Sequence, residues 1–254
     1  MSSSVTADHT VVLITGANQG IGYECVKKLA AEQANYHILL GSRSLQRGKE
    51  AASSITDLAQ GTSVEPLELD VDDDESIARA AKYVEEKFGR LDVLLNNAGI
   101  SSVKDVGFRE SMTQVLQTNT VGAACVTEAF IPLMRKAQIP RLLFMSSGLG
   151  SITLALDPSF PYYGLGNAPG IKGYIVSKCA ENMVGALYAV QLGKEGFKVN
   201  MVCPGHRATN LNGYNKQAGK AADGALEACR LIVDTDKNGQ HATFTTSPET
   251  QYPW

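Results

Sequence analysis

The sequence lacks most of what would tie it to a macromolecule or a membrane. Its 23 Lys and Arg stand against 26 Asp and Glu, for a net charge of −3. No basic surplus exists to hold nucleic acid or an anionic lipid surface. Apolar runs such as Val11–Ile14 fall far short of the roughly 20 residues that span a bilayer. Residues 1–10 are polar and lack the apolar centre of a signal peptide, so they read as a flexible tail. The five cysteines (Cys25, Cys125, Cys179, Cys203, Cys229) are odd in number and contain no Cys-x-x-Cys, and the four histidines are scattered. That excludes a disulfide framework and leaves no metal-ligand cluster. Reduced thiols in a cytoplasmic protein are the expectation.

What is present is an alternation. Short β-rich runs at Val11–Thr15, Tyr36–Leu40, Val64–Leu69, Leu91–Leu95, Arg141–Met145, Lys198–Val202 and Ala242–Thr245 are separated by helical stretches. The helices are placed at about 21–33, 45–59, from Asp73 onward, within 111–136, and at 172–194 and 218–233. Strand–helix alternation calls for a parallel sheet with right-handed crossovers. Residues 11–254 therefore read as a single α/β, doubly wound, Rossmann-type domain of about seven strands with helices on both faces. The one irregular insertion, residues 151–171, is rich in Pro, Gly and aromatics.

Thr15-Gly16-Ala17-Asn18-Gln19-Gly20-Ile21-Gly22 follows the first strand and opens the first helix. Gly16 suits a tight turn, Gly20 lets backbone approach a pyrophosphate, and Gly22 lets helix and sheet pack closely. The helix N-terminus would add amide N–H groups and the positive end of a dipole. Three tyrosines stand four residues before a lysine: Tyr23/Lys27, Tyr83/Lys87 and Tyr174/Lys178. That spacing puts both side chains on one helix face. An ammonium beside a phenol favours the phenolate, so the lysine is expected to lower the tyrosine pKa. Only Tyr174 follows a serine, in Ser146-Ser147-Gly148, at the end of the fifth strand. Ligands of open α/β sheets bind at that carboxyl edge. The other two pairs read as surface pairs.

The Gly-x-x-x-Gly-x-Gly spacing, Asp70-Val71, Asn96-Asn97-Ala98-Gly99, Asn119, Ser147, Tyr174/Lys178 and Pro204-Gly205 stand in order along the chain. In this the sequence resembles the short-chain dehydrogenase/reductase family over residues 11–245. The resemblance implies a nicotinamide cofactor on Gly16, Asn18, Gln19, Gly20, Ile21 and Gly22. Asp70 and Val71 would flank adenine, and Asn96, Asn97, Ala98 and Gly99 would line the adenosine ribose and support the sheet. Pro204, Gly205 and Thr209 would lie near the nicotinamide. It also implies catalysis by Asn119, Ser147, Tyr174 and Lys178. Ser147 would hold the substrate carbonyl, Tyr174 would donate the proton, Lys178 would bond the nicotinamide ribose, and Asn119 would hold a water leading to solvent.

NAD-specific folds place an acid at the tip of the second strand. Here Leu40-Gly41-Ser42-Arg43 has none, while Arg43 offers a planar fork and Ser42 a hydroxyl suited to a 2′-phosphate. NADP(H) is the expected cofactor, with Arg47 assisting. The expected activity is NADPH-dependent reduction of a ketone or aldehyde, the partner being a small carbonyl compound. Alcohol oxidation and imine or activated-alkene reduction fit the same site. A non-catalytic NADP(H)-binding regulator would be expected to lose Tyr174 or Lys178.

Two departures from the family stand out. The gap from Ser147 to Tyr174 is about twice the usual one, which makes residues 151–171 a candidate wall of the substrate pocket. Relatives pair through helix faces as homodimers or homotetramers, and this loop lies where it could alter those faces. Arg207 replaces a branched apolar residue; it could reach phosphates or an acidic substrate, or face solvent. Residues 206–223, with Tyr214, read as a flap over the substrate.

Overall fold

A computed structural model describes residues 9–254. The expected tail at 1–10 lies outside it except at its end, and there Thr10 already belongs to the first strand. The strands are β1 (Thr10–Ile14), β2 (Tyr36–Ser42), β3 (Ser63–Glu68), β4 (Val93–Asn96), β5 (Arg141–Met145), β6 (Lys198–Val202), β7 (Thr243–Ser247) and β8 (Thr250–Gln251). They form one sheet in the order β3-β2-β1-β4-β5-β6-β7-β8. All pairings are parallel except β7 with β8. Among the described residues the eighth strand, two residues long, is the only addition to the seven expected.

Successive strand residues point to opposite faces, and the sequence uses both. On one face Val11, Leu13, Leu39 and Leu94 pack with Phe130, Tyr188 and Leu192. On the other, Val12, Ile14, Ile38 and Leu95 pack with Val26, Leu29, Ala228 and Ile232. The helices are α1 (Gly20–Glu32), α2 (Leu45–Ser53), α3 (Asp74–Phe88), α4 (Phe108–Leu116), α5 (Ala123–Met134), α6 (Ile152–Ala155), α7 (Lys172–Leu192) and α8 (Ala221–Val233), and all but α4 and α6 contribute to these two clusters. Asp73 caps α3 by accepting from the Glu75 amide, and Gly89 closes it in the left-handed conformation at φ 71°. α2 stops six residues short of the expected Ala59. The Ser54 hydroxyl bonds back to the Ala51 carbonyl, and Ala59 is drawn away to the Ala30 carbonyl at the end of α1.

The long helix expected at 111–136 is instead α4 and α5 joined by a wider π-helical turn, Gln117–Gly122. Such turns are frequent at functional sites. This one carries Asn119. On the opposite face of the sheet, α1 lies against α8, where the Cys25 thiol meets the Ala225 carbonyl and Cys229 meets that of Cys25. All five cysteines are free thiols. Among the described residues no helix is long and apolar enough to cross a membrane, and no group of three or more His, Cys, Asp or Glu could hold a metal ion.

At the β3 edge the Tyr83/Lys87 pair is a half-buried network rather than a surface pair. Lys87 Nζ lies 2.7 Å from the Tyr83 hydroxyl and 2.7 Å from both Glu65 oxygens. His37 adds a 2.7 Å contact to Glu65, and Tyr83 donates to it as well. Burial alone would push the Glu65 carboxyl up, but hydrogen bonds from His37, Lys87 and Tyr83 outweigh it and hold the pKa at about 2. A depressed carboxyl stabilises the fold above its unfolded pKa and loses that contribution as pH falls through the folded one. Wild type should therefore lose stability steadily from about pH 4.5 down to about pH 2. Glu65→Gln should melt roughly 4–8 °C lower at pH 7, for a loss of about 2 kcal/mol, and its Tm should fall less across that acid window. Calorimetry at several pH values reads both effects.

Candidate active site

The sheet order reverses direction at β1, with β2 on one side and β4 on the other. A cleft opens at their carboxyl ends, as doubly wound sheets dictate. Gly16 and Gly20 take φ of +61° and +63°, which glycine adopts without strain. A Cβ on Gly16 would stand 2.8 Å from the Ala98 Cα, so no other residue fits. Gly16, Asn18, Gln19, Gly20 and Ile21 line the cleft. Gly22 does not; it lies beneath, where a Cβ would meet the Asn97 amide nitrogen at 2.4 Å. The leading amides of α1 are not taken by a capping side chain. A glycine loop closed to a Cβ at Gly16 and turned left-handed at Gly20, ahead of an uncapped helix N-terminus, fits a pyrophosphate.

Asn96 and Asn97 part company. Asn97 donates to the Thr15 carbonyl (2.8 Å) and the Gly16 carbonyl (3.2 Å). The Asn97 and Ala98 amides both donate to the Thr15 hydroxyl at 2.9 Å, which stitches the glycine loop to the end of β4. Asn97, Ala98 and Gly99 line the cleft. Asn96 is 2% exposed and turns the other way, to the Thr127 hydroxyl on α5 at 2.9 Å. Its expected place along the adenosine ribose is therefore corrected: adjacent strand residues face opposite sides of a sheet, and Asn96 faces the core.

At the far end of the cleft, Ser42, Arg43, Ser44 and Arg47 line one wall and Asp70 and Val71 the other. Both arginines are exposed, and no carboxylate pairs with either among the described residues. The Ser42 hydroxyl is already engaged with Ser44, donating to its carbonyl at 3.0 Å and accepting from its amide at 3.3 Å.

At the near end stand Tyr174 and Lys178, with Met145, Ser146, Pro204 and Thr209. The choice between the two serines follows from their partners. Ser146 is buried and donates to Asn182 at 2.5 Å, which leaves it structural. The Ser147 hydroxyl accepts from the Leu149 amide at 3.2 Å and stands near enough to the Tyr174 phenol to favour its ionised form. The Lys178 ammonium lies 5.9 Å from the centre of the Tyr174 ring. It donates to the Met145 carbonyl and to Glu181, each at 2.7 Å.

The expected lowering of the Tyr174 pKa is not the net outcome. Burial pushes the phenol up, and Cys203 and Glu181 add to that; together they outweigh the pull of Lys178 and Ser147, so the pKa is raised. Burial would lower the Lys178 ammonium, but Glu181 and Tyr174 outweigh it and hold it above its ordinary value. Asn119 is fully buried, and both its amide hydrogens are spent, on the Ile100 carbonyl and the Ser177 hydroxyl, each at 2.9 Å. Its oxygen accepts from the Ile100 amide at 2.8 Å. A water at Asn119 would have to donate to an oxygen rather than accept from the amide.

Arg207 is not among the residues that line the cleft. It folds back to donate to the Pro204 carbonyl at 2.7 Å and approaches Asp223 on α8 at 4.0 Å. Gly205, beside it in the left-handed region, lies outside the cleft lining. Thr209 and Leu211 line the cleft, and Ser101 donates to the Leu211 carbonyl at 2.7 Å, tying the 206–223 segment to the loop after β4. In the 151–171 insertion, Phe160 packs edge-on against Tyr162, and Tyr162 against His206. Glu181 was missed in the sequence. Its signal was a charged residue seven positions after Tyr174, on the same helix face.

The short chain dehydrogenase family matches residues 10–219. The short-chain dehydrogenase anuI of Penicillium roqueforti is 39% identical, over 90% of this chain and 89% of its own length. A (+)-neomenthol dehydrogenase of Arabidopsis thaliana is 28% identical over 87% and 90%. Among solved structures, NADPH-bound carbonyl reductase from chicken fatty liver superposes with a TM-score of 0.76 at 24% identity, covering 100% of this chain and 97% of that one.

Proposed function

Because the chain belongs to the short-chain dehydrogenase/reductase family, and is thus an oxidoreductase with a nicotinamide cofactor, we propose that it is an NADPH-dependent carbonyl reductase. One observation supports the reading: with Ser147 next to the lining residue Ser146 and close enough to Tyr174 to pull its pKa down, Tyr174 and Lys178 line the same cleft as the exposed Arg43 and Arg47. The cradle of Gly16 and Gly20 and the α1 N-terminus lie between them. The cofactor, when bound, supplies the hydride.

The chain's own residues do the rest. Gly16–Ile21 and the amides of α1 hold the pyrophosphate, and Arg43 and Arg47 attract the 2′-phosphate. Asp70 and Val71 flank adenine, Asn97–Gly99 the adjoining ribose, and Pro204 and Thr209 the nicotinamide end. Ser147 donates a hydrogen bond to the substrate carbonyl oxygen, and Tyr174 gives that oxygen a proton as hydride reaches the carbon. Lys178 stabilises the phenolate left behind, and Asn119 holds the Gly99–Ile100 segment against α7. The raised Tyr174 pKa suits a group that must carry its proton at neutral pH.

NADPH consumption against a panel of ketones and quinones tests the activity. A protein that binds NADPH but turns over none of them, nor any imine or activated alkene, would overturn it. The cofactor choice has its own test. Arg43→Ala should raise the KM for NADPH on the order of tenfold to a hundredfold, and that for NADH little, since a charge-assisted phosphate contact is worth about 1.5–3 kcal/mol. Equal effects on both cofactors would remove the assignment.

A further inference from the structure

The face of α7 turned toward the end of β5 carries Tyr174, Lys178, Glu181 and Asn182, at helical spacings of four, seven and eight. Glu181 is 1% exposed. One oxygen receives the Lys178 ammonium at 2.7 Å, and the other, Oε1, has no partner. Asn182 beside it is occupied by Ser146 and the Gly150 carbonyl.

A buried carboxylate with one bond and one orphaned oxygen contributes poorly to stability; an apolar residue would fill the space without the penalty. Its place beside the ammonium suggests a different use. Lys178 has three donors, and two are fixed, by the Met145 carbonyl and by Glu181. The third remains for the cleft. The direction of that donor is therefore set by the other two.

We propose that Glu181 is a positioning residue of the acid–base pair: it fixes Lys178 between its own carboxylate and the Met145 carbonyl, and its negative charge keeps Tyr174 a proton donor to higher pH than Lys178 alone would allow. This rests on the carbonyl-reductase reading. Tyr174 feels Lys178 and Glu181 from α7, the Cys203 thiol from beyond β6 and the Ser147 hydroxyl. Lys178 feels Glu181, Tyr174 and Cys203. Glu181 feels Lys178, and burial wins over that attraction, so its carboxyl rises to about 7. Cys203 is itself raised by burial, against the opposing pull of the Gly205 and Gly148 amides, the Thr246 hydroxyl and Arg207. The carboxylate is thus the one negative charge set directly against Lys178. Above the Glu181 pKa the ammonium is opposed and Tyr174 holds its proton. With no carboxylate, the ammonium would act undiminished and the phenol would ionise sooner.

Glu181→Gln keeps shape and hydrogen-bond acceptor but removes the charge. In it, the Tyr174 ionisation, followed by NMR of isotope-labelled tyrosine with Tyr174→Phe to assign the signal, should fall by about one pH unit. The alkaline limb of carbonyl reduction should move down with it. Glu181→Asp, which restores the charge, should return both toward wild type. Glu181→Leu should show the same downward move together with a lower kcat, because Lys178 loses an anchor. Coincident titrations of wild type and a folded Glu181→Gln would overturn the proposal. So would loss of the fold in both the Gln and Leu variants, which would assign the carboxylate to stability alone. The titration needs no substrate, so it reads Glu181 even if no ketone is reduced. A Tyr174→Phe protein with full turnover would sink the functional reading and leave the titration standing.

Discussion

Tyr174→Phe is expected to lower kcat by about 10²–10⁴-fold and leave NADPH binding within a few-fold of wild type, since general acid catalysis supplies an effect of that size. The ring forms part of the cleft wall, and phenylalanine preserves it while removing only the hydroxyl that Ser147 faces. Tyr174 is only partly buried and faces the cleft, so loss of its hydroxyl should leave the melting temperature at or near the wild-type value. Steady-state kinetics beside fluorescence titration of NADPH separate the two outcomes. A variant that binds cofactor and keeps full turnover would show that the proton comes from elsewhere.

Gly150→Ala is expected to damage catalysis from a position outside the cleft lining. The turn after β5 runs against α7, and a Cβ on Gly150 would stand 2.6 Å from the Lys178 carbonyl carbon. It would also lie 2.8 Å from the Cys179 nitrogen and the Lys178 oxygen. All three are helix backbone, which cannot rotate away, so α7 must withdraw and take Tyr174 and Lys178 with it. Misplacing a reacting group by about 1 Å can cost about 10²-fold, and overpacking of this kind costs about 1–3 kcal/mol of stability. The expected result is a kcat lower by that factor, a reduced Tm, and NADPH affinity largely retained because the glycine loop sits on another element. Gly107→Ala is the control. Its φ is −68°, and nothing lies within 4 Å of an added Cβ. Turnover there should be unchanged; an unchanged Gly150→Ala would show that α7 yields without moving its catalytic face.

The parts of the site that the sequence reveals are those set by local chemistry. A glycine loop needs its glycines where the backbone turns left-handed, and Tyr174 and Lys178 need only helical spacing to share a face. Ser147 over Ser146 follows instead from the family resemblance, since local chemistry alone does not separate two adjacent serines. What escaped depends on packing between distant segments. Arg207 folds under its own loop because Pro204 and Asp223 are there to receive it, and neither contact leaves a mark on spacing. The Tyr83/Lys87 pair has the closer Lys–Tyr contact, at 2.7 Å, yet it lies at the β3 edge with Glu65; the motif alone does not make a site. Asn96 was within reach, since strand alternation already sends it and Asn97 to opposite faces. The Tyr174 pKa was not: whether burial or Lys178 wins depends on Glu181 and Cys203, which become neighbours only in the folded chain.

The contact between α1 and α8 also bears on how the chain reaches its fold during synthesis. Cys25 and Ala225 are 200 positions apart, so α1 finishes covering its apolar side only when α8, made much later, arrives. Until then the side of α1 that carries Cys25 waits for its partners Ala225 and Cys229. Late closure of this kind slows folding and exposes nascent chains to association, and chaperone capture should be concentrated there.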